Sequence, residues 1–497
     1  MDKFKAIIFN KWFFPVLFIY YGINYVVSGE VYPKMVSADG RVFVTLIWDF
    51  RQSQYFDMYY VYRILPSLII KSIFSFISDV RPVGEQLIPA FQILNIFCIV
   101  ATCYVLDKIM SFFKIIPQKR VLAYILLLIN FALLKYPFYL PVMTDNVALL
   151  LSTMLLYFYL KNNTWAIIAC TLALAFTWPM GYYQGLILIA LPVHILPYTV
   201  PNKLQKRLIY GGALLLISFL VLLIIFIEKQ EIWMEFAARI DRKYLPLSII
   251  SIIIPYYFFA KIFLNKSLLD IPLFFKMLNY KRIAYAVLLF ILVYTIVHLL
   301  DPKPTAMYST AQTLRDPTLF GLRRPFVYLI SDISYFGVVV CILILFWNSV
   351  AKIISQLGWG LVGAIGLNIL LFGITPQTRH LINLLPWLVV FIVAALNKRD
   401  IPNYVYFAIA ALAFFTSKIW LELNNYEDYP PMQLDKNGSM GLPHQKFWMN
   451  LGPWMSDQMY VIQGTFCLLV MGILFFLFYK ITTVNNKLMV VQRFPAK

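Results

Sequence analysis

A chain of 497 residues that is 61% hydrophobic and only 13% charged lies outside the balance of a soluble globular protein, where about half of the residues are apolar and about a quarter charged. No stretch is both polar enough and long enough to make an independent soluble domain. The formal charge of +19 comes without a basic tail or a soluble basic domain, which excludes a nucleic-acid binder and leaves membrane topology as the reason for the Lys/Arg excess.

A bilayer core about 30 Å thick takes roughly 20 apolar residues per helix, and such runs recur from end to end. The first, 12–28, follows Lys3, Lys5 and Lys11 like the start of a signal peptide. Its length, its aromatics (Trp12, Phe13, Phe14) and the absence of a small-residue cleavage motif predict an uncleaved helix instead. A long outer loop, 29–83, comes next. Within it the stretch 64–77, apolar but interrupted by Lys71 and serines, predicts an amphipathic helix lying in the interface. Further runs are centred on 84–107, 121–140, 147–160, 164–181, 183–200, 208–227, 245–264 and 283–300. After a second outer loop, 301–325, come 326–347, 357–374, 380–396 and 403–421. A third outer loop, 422–459, precedes the last run, 460–479. The expectation is an all-α polytopic membrane protein, one membrane-embedded domain over 1–497, with about fourteen transmembrane helices and three outer loops capping them.

With the N-terminus in the cytoplasm, the inner side holds 23 of the 42 Lys/Arg but only Asp2, Asp107, Asp270 and Asp400 of the 23 acids. Topology is set by Lys/Arg and takes little from acids, so their concentration outside has two readings. Either the outer loops form a functional surface, or they are simply longer and hold more of everything polar. The outer side is also richer in Arg, with 10 of the 15 arginines. Arginine grips phosphate bidentately.

Several features read as structural. Cys98, Cys103, Cys170, Cys341 and Cys467 all fall in apolar runs and behave as small hydrophobes. His194 and His298 sit in or at the ends of apolar helices and read as satisfied core histidines. Asn437-Gly438-Ser439 is a glycosylation triplet to which no role is assigned. No glycine cluster forms a phosphate-binding loop.

The candidate chemistry lies on the outer face. Asp39 stands just beyond the first helix, and Thr144-Asp145 opens the fourth. Acids near the bilayer boundary are costly to desolvate and point to function. The alternatives are a helix cap at Thr144-Asp145 and a turn at Asp39-Gly40. Asp39-Gly40-Arg41-Val42-Phe43, Tyr62-Arg63-Ile64-Leu65-Pro66, Thr144-Asp145 and Thr375-Pro376-Gln377-Thr378-Arg379-His380 together resemble the GT-C superfamily of integral-membrane glycosyltransferases. In that family an early acid in a long first outer loop is followed by interface helices and many spans.

The resemblance implies sugar transfer from a polyprenyl-phosphate donor to a hydroxyl of a lipid or glycan acceptor, on the outer face of a membrane with both termini cytoplasmic. A bacterial inner membrane fits better than the endoplasmic reticulum. Asp39 would take the acceptor proton, with Asp145 supporting. Arg379, with Arg63, Arg323 or Arg324, would stabilise the departing phosphate. His380 would donate a further hydrogen bond, unless it is a helix-start histidine held by a loop carbonyl. Many members carry paired acids in the first loop, whereas position 41 here is Arg. No metal is therefore expected from a clear motif, although Asp49 or Asp57 would be the residues to supply ligands to a divalent ion. A polymerase or ligase of lipid-linked glycans, and a transporter or flippase of lipid-linked saccharide, remain the competing readings.

Overall fold

The computed structural model describes residues 21, 39–48, 58–77, 81–228, 242–300, 320–418 and 457–482. Among them every regular element is helical. Six helices are long and apolar enough to cross a bilayer: Ile88–Phe112, Leu245–Phe263, Tyr280–Leu300, Val338–Gln356, Thr378–Leu396 and Met459–Tyr479. A bent pair, Pro117–Leu128 with Phe131–Phe138, makes a seventh if it counts as one span. The chain is a multi-pass helical membrane protein.

Two helices lie within the stretch 29–83, α1 (Asp39–Leu46) and α2 (Leu65–Ile77). The Ser67 hydroxyl of α2 donates to the Phe43 carbonyl of α1 at 3.0 Å, and Phe43 meets Tyr60 edge-on at 5.6 Å. The 13 residues of α2 rise about 20 Å, too little to cross an apolar core of about 30 Å. That length fits the helix expected over 64–77.

The chain then enters α3 (Ile88–Phe112) and returns through α4 (Pro117–Leu128). At one turn between them Arg120 pairs with Asp107 at 2.9 Å. After α4 the path bends by 73°, and Asn130 is the cause. Its Nδ2 donates to the carbonyls of Leu126 and Leu127, while its Oδ1 accepts from Leu133 N–H. One side chain thus satisfies backbone groups on both sides of the break, as an apolar environment demands. Two single turns, Phe131–Leu134 and Tyr136–Tyr139, follow. Asn95 of α3 pins this stretch, donating to the carbonyls of Pro137 and Pro141 at 3.1 and 2.9 Å.

Three shorter helices come next, α5 (Asp145–Leu160), α6 (Thr164–Ala175) and α7 (Pro179–Ala190). Gly185 lets α7 close onto Thr171 of α6, where any Cβ would overlap the threonine side chain. Small residues allow such approach in membranes. The bundle continues through α8 (Lys203–Glu228), α9 (Leu245–Ala260), α10 (Tyr280–Leu300), α11 (Val327–Phe336) and α12 (Val338–Gln356). Helices α11 and α12 meet at Gly337, whose φ of +70° suits glycine. The last elements are α13 (Trp359–Phe372), a 3₁₀ segment Thr378–Leu384 running into α14 (Leu385–Leu396), α15 (Asn403–Ser417) and α16 (Asp457–Thr482).

Among the described residues six or seven helices are long and apolar enough to cross on their own, and other apolar runs give shorter helices. The runs 164–181 and 183–200 become helices of 12 residues each, α6 and α7, after which a non-helical stretch with Pro192, Pro197 and Pro201 reaches 202. The run 326–347 divides at Gly337, leaving α11 with 10 residues. The run 357–374 yields the 14 residues of α13. Most of 12–28 and of the stretches 301–325 and 422–459, with Asp49, Asp57 and the Asn437 triplet, lies outside the described residues.

Candidate functional site

The site grows from the start of α5. Asp145 is that helix's first residue and is 3% exposed. No side-chain hydrogen bond caps the helix at Thr144, so capping by Thr144 does not explain this pair of residues. An acid in a first turn is favoured by the helix dipole, and the pinned Pro137–Pro141 stretch sets where the turn falls.

The second component is the segment Thr375–His380. The Arg379 guanidinium lies 3.5 Å from the Tyr136 hydroxyl and 3.6 Å from Met143 Sδ, two residues before Asp145. Tyr136 meets Tyr335 of α11 edge-on at 5.6 Å. Tyr335 is within electrostatic reach of Asp145 and of Arg379. The structure thus gathers Asp145, Arg379, Tyr136 and Tyr335 from three distant parts of the chain.

Five buried side chains hold the arrangement. Asn383, one turn past Arg379, donates to Gln184 of α7 at 2.6 Å and approaches Asn368 of α13 at 3.5 Å. Ser152 of α5 donates to the Asn383 carbonyl at 2.7 Å, and the Trp387 indole donates to the Ser152 carbonyl at 2.9 Å. Satisfied polar groups in an apolar interior fix a geometry. These bolt the 3₁₀ segment to α5, and with it Arg379 to the Asp145 end.

Arg63 and His380 form the third component. The Arg63 guanidinium lies over the Tyr59 ring at 4.2 Å and the Trp178 ring at 5.2 Å. The Leu65 N–H, bonded to the Phe176 carbonyl at 2.8 Å, ties this stretch to the α6–α7 junction. His380 sits between Trp178 and Phe372, with ring centroids at 6.2 and 4.9 Å, within electrostatic reach of both Arg379 and Arg63. Its Nδ1 is buried without a hydrogen-bond partner, so no loop carbonyl holds that nitrogen. Beside Arg63, burial pushes the Tyr62 phenol up to about 12, reinforced by Tyr183 and Tyr294.

The other expected residues are distributed differently. Asp39 opens α1, which packs on Tyr60 and Ser67 close in sequence to Arg63. The backbone at Gly321 abuts the Ile374 carbonyl, placing the 320–325 stretch beside the Thr375–His380 segment. Arg323 is buried there. The Arg324 guanidinium lies over Tyr460 of α16 at 5.3 Å, whose hydroxyl donates to the Pro325 carbonyl at 2.7 Å.

One acid was not anticipated. Asp332 of α11 is buried, faces Thr378, and has an Oδ1 without a hydrogen-bond partner. The signal was a carboxylate inside the apolar run 326–347. Among the described residues no three His, Cys, Asp or Glu side chains converge in a way that would hold a metal, and the five cysteines are free and buried.

The arrangement gathers a buried carboxylate, two guanidiniums and an imidazole among aromatic rings. It can offer charge-assisted hydrogen bonds to phosphate oxygens beside an acid, in surroundings where few waters compete. No family model matches the chain, and no curated protein or solved structure is significantly similar to it.

Proposed function

We propose that this protein is a membrane glycosyltransferase that moves a sugar from a polyprenyl-phosphate donor to a hydroxyl acceptor, a lipid or a glycan. The observation that carries the reading is the gathering of Asp145, Arg379, His380 and Arg63 into one aromatic-walled cluster. The reading includes a GT-C-like architecture of about fourteen crossings. It also places both termini in the cytoplasm and the cluster on the outer face.

In this mechanism the acceptor oxygen attacks the anomeric carbon while the bond to the phosphate oxygen breaks. The electron pair leaves on the lipid phosphate, and the acceptor proton passes to a carboxylate, Asp39. Arg379 and Arg63 stabilise the charge that builds on the departing phosphate, and His380 adds a hydrogen bond. Asp145, beside Arg379, keeps that guanidinium in place.

The test is transfer from labelled polyprenyl-phosphate sugars to candidate acceptors by purified protein, with Asp39→Ala, Asp145→Ala and Arg379→Gln variants. Loss of transfer in folded variants supports the assignment. Undiminished transfer in Asp39→Ala removes its role as base. The break at Asn130, a bent helix pair of the sort that lines transport paths, favours a second reading, a flippase of lipid-linked saccharide. Movement of the labelled lipid across the bilayer without any transfer would select it.

A further inference from the structure

A second charged corner lies at the other end of α5. Asn162 follows Asp145 by 17 positions, a rise of about 25 Å along a helix, which nearly crosses an apolar core of about 30 Å. There Arg282, in the first turn of α10, is 6% exposed and donates from one terminal nitrogen to Asn162 Oδ1 at 2.8 Å. Its Nε and its other terminal nitrogen are buried without a hydrogen-bond partner. Tyr159 lies within electrostatic reach of Arg282, and so does His194, whose ring is held by the Met277 backbone. The His194 Nε2 and the Trp359 indole nitrogen are also buried and unpartnered. Gly358, with a φ of +90°, brings the α12–α13 turn against the His194 backbone.

The charged residues next to Arg282 and Asn162 in sequence, Lys281 and Lys161, are basic. Arg282 stands at the positive end of α10, where a cation is disfavoured. Among the described residues no carboxylate acts on it. Asp270 is engaged in capping Leu273 N–H at 3.0 Å, and Asp107 pairs with Arg120. Lys161, Lys276 and Lys281 are exposed nearby in sequence. A guanidinium does not deprotonate in proteins, and a buried charge is costly unless it is compensated. Asn162 is itself exposed, so the corner opens to its surroundings on that side.

We propose that the corner formed by Arg282, Asn162, Tyr159 and His194 binds a phosphate group at the end of the bundle opposite the Asp145 cluster. The fork of Arg282 matches phosphate oxygens, and the corner's distance from the Asp145 end corresponds to the depth of lipid headgroups, where basic pockets between helices take anionic phosphates. The site is independent of the glycosyltransferase reading and survives its failure.

The test uses the full chain in a phosphate-free maltoside detergent and buffer and follows its thermal unfolding. The reference is the detergent alone, and the probes are added phosphatidylglycerol or inorganic phosphate. Wild type and Lys281→Gln are expected to gain stability with a phosphate probe. Arg282→Gln is expected to need about tenfold more of it or to lose the response, as the loss of a charged hydrogen-bond partner implies. A response to phosphatidylglycerol alone makes the ligand a lipid headgroup; a response to inorganic phosphate makes it phosphate from either source. Absence of any response in wild type, or an equal response in Arg282→Gln, overturns the proposal. If Arg282→Gln does not fold, Arg282→Lys, which keeps the charge and loses the fork, carries the same comparison.

Discussion

Asn383 donates a 2.6 Å hydrogen bond to Gln184, a residue 199 positions earlier in the chain. The contact joins the segment that carries Arg379 to α7 in the middle of the bundle, and through Ser152 to α5. A hydrogen bond between membrane helices is worth about 1 kcal/mol, so its value here is chiefly positional. Gln184→Leu and Asn383→Leu are each expected to destabilise by about 1–2 kcal/mol. The double variant is expected to cost less than the sum, because neither orphaned amide then remains. Unfolding in detergent measures this, and strict additivity would mean that the two side chains do not depend on each other.

Arg379→Gln is expected to lower turnover by about 10²–10³-fold, the scale for removing a group that stabilises developing charge. Arg379→Lys keeps the charge but not the planar fork and is expected to fall between wild type and the glutamine variant. Single-turnover rates with a labelled donor separate this from a loss of binding. Equal rates in all three proteins would place the phosphate elsewhere.

The class of the protein was legible because burial in lipid leaves its mark on composition, and long apolar runs survive any detail of packing. Asp145 and Arg379-His380 were legible because each interrupts or opens an apolar run, where polar residues are conspicuous. Helix continuity was not. Asn130 and Gly337 break two runs, and each is a single residue whose neighbours keep the stretch apolar. Composition counts apolar residues and is blind to φ at Gly337 or to the amide of Asn130. Asp332 was passed over for the same reason: the run 326–347 reads as one span until Gly337 divides it and leaves the acid on a 10-residue helix facing Thr378. Arg323 and Arg324 are alike in sequence, yet Arg324 lies over Tyr460 of α16, and no periodicity reveals which ring an arginine meets.

Gly337 adopts φ +70° and ψ −145°, a region open to glycine and closed to other residues. A Cβ there would also stand 2.8 Å from the Thr416 Oγ1. Gly337→Ala is expected to cost roughly 1–3 kcal/mol. Thr416→Ser retains the hydroxyl oxygen and is not expected to relieve the clash. A thermal midpoint unchanged in Gly337→Ala would show that the α11–α12 break relaxes freely.

Asp145 and Asp332 invite the same substitution with opposite expectations. Both are buried, and both become neutral and keep their shape as asparagine. Asp145 shares its surroundings with Arg379, since both act on Tyr335. Neutralising it leaves a half-buried guanidinium with less compensation, and removing one member of a buried charge cluster costs about 3–5 kcal/mol when the cluster is fully enclosed. Arg379 is only partly buried, so Asp145→Asn is expected to lose less than that but to lower the thermal midpoint clearly. Among the described residues no cation acts on Asp332, whose neighbour is the Thr378 side chain. With no cation beside it, a buried carboxyl is costly to ionise, and Asp332→Asn keeps the position neutral while adding a donor that can serve backbone or hydroxyl oxygens. That variant is therefore expected to unfold no lower than wild type. Paired unfolding curves for the two variants in one detergent decide the matter: a larger loss for Asp332→Asn than for Asp145→Asn would mean that Asp332, rather than Asp145, is the acid that holds this end of the bundle together.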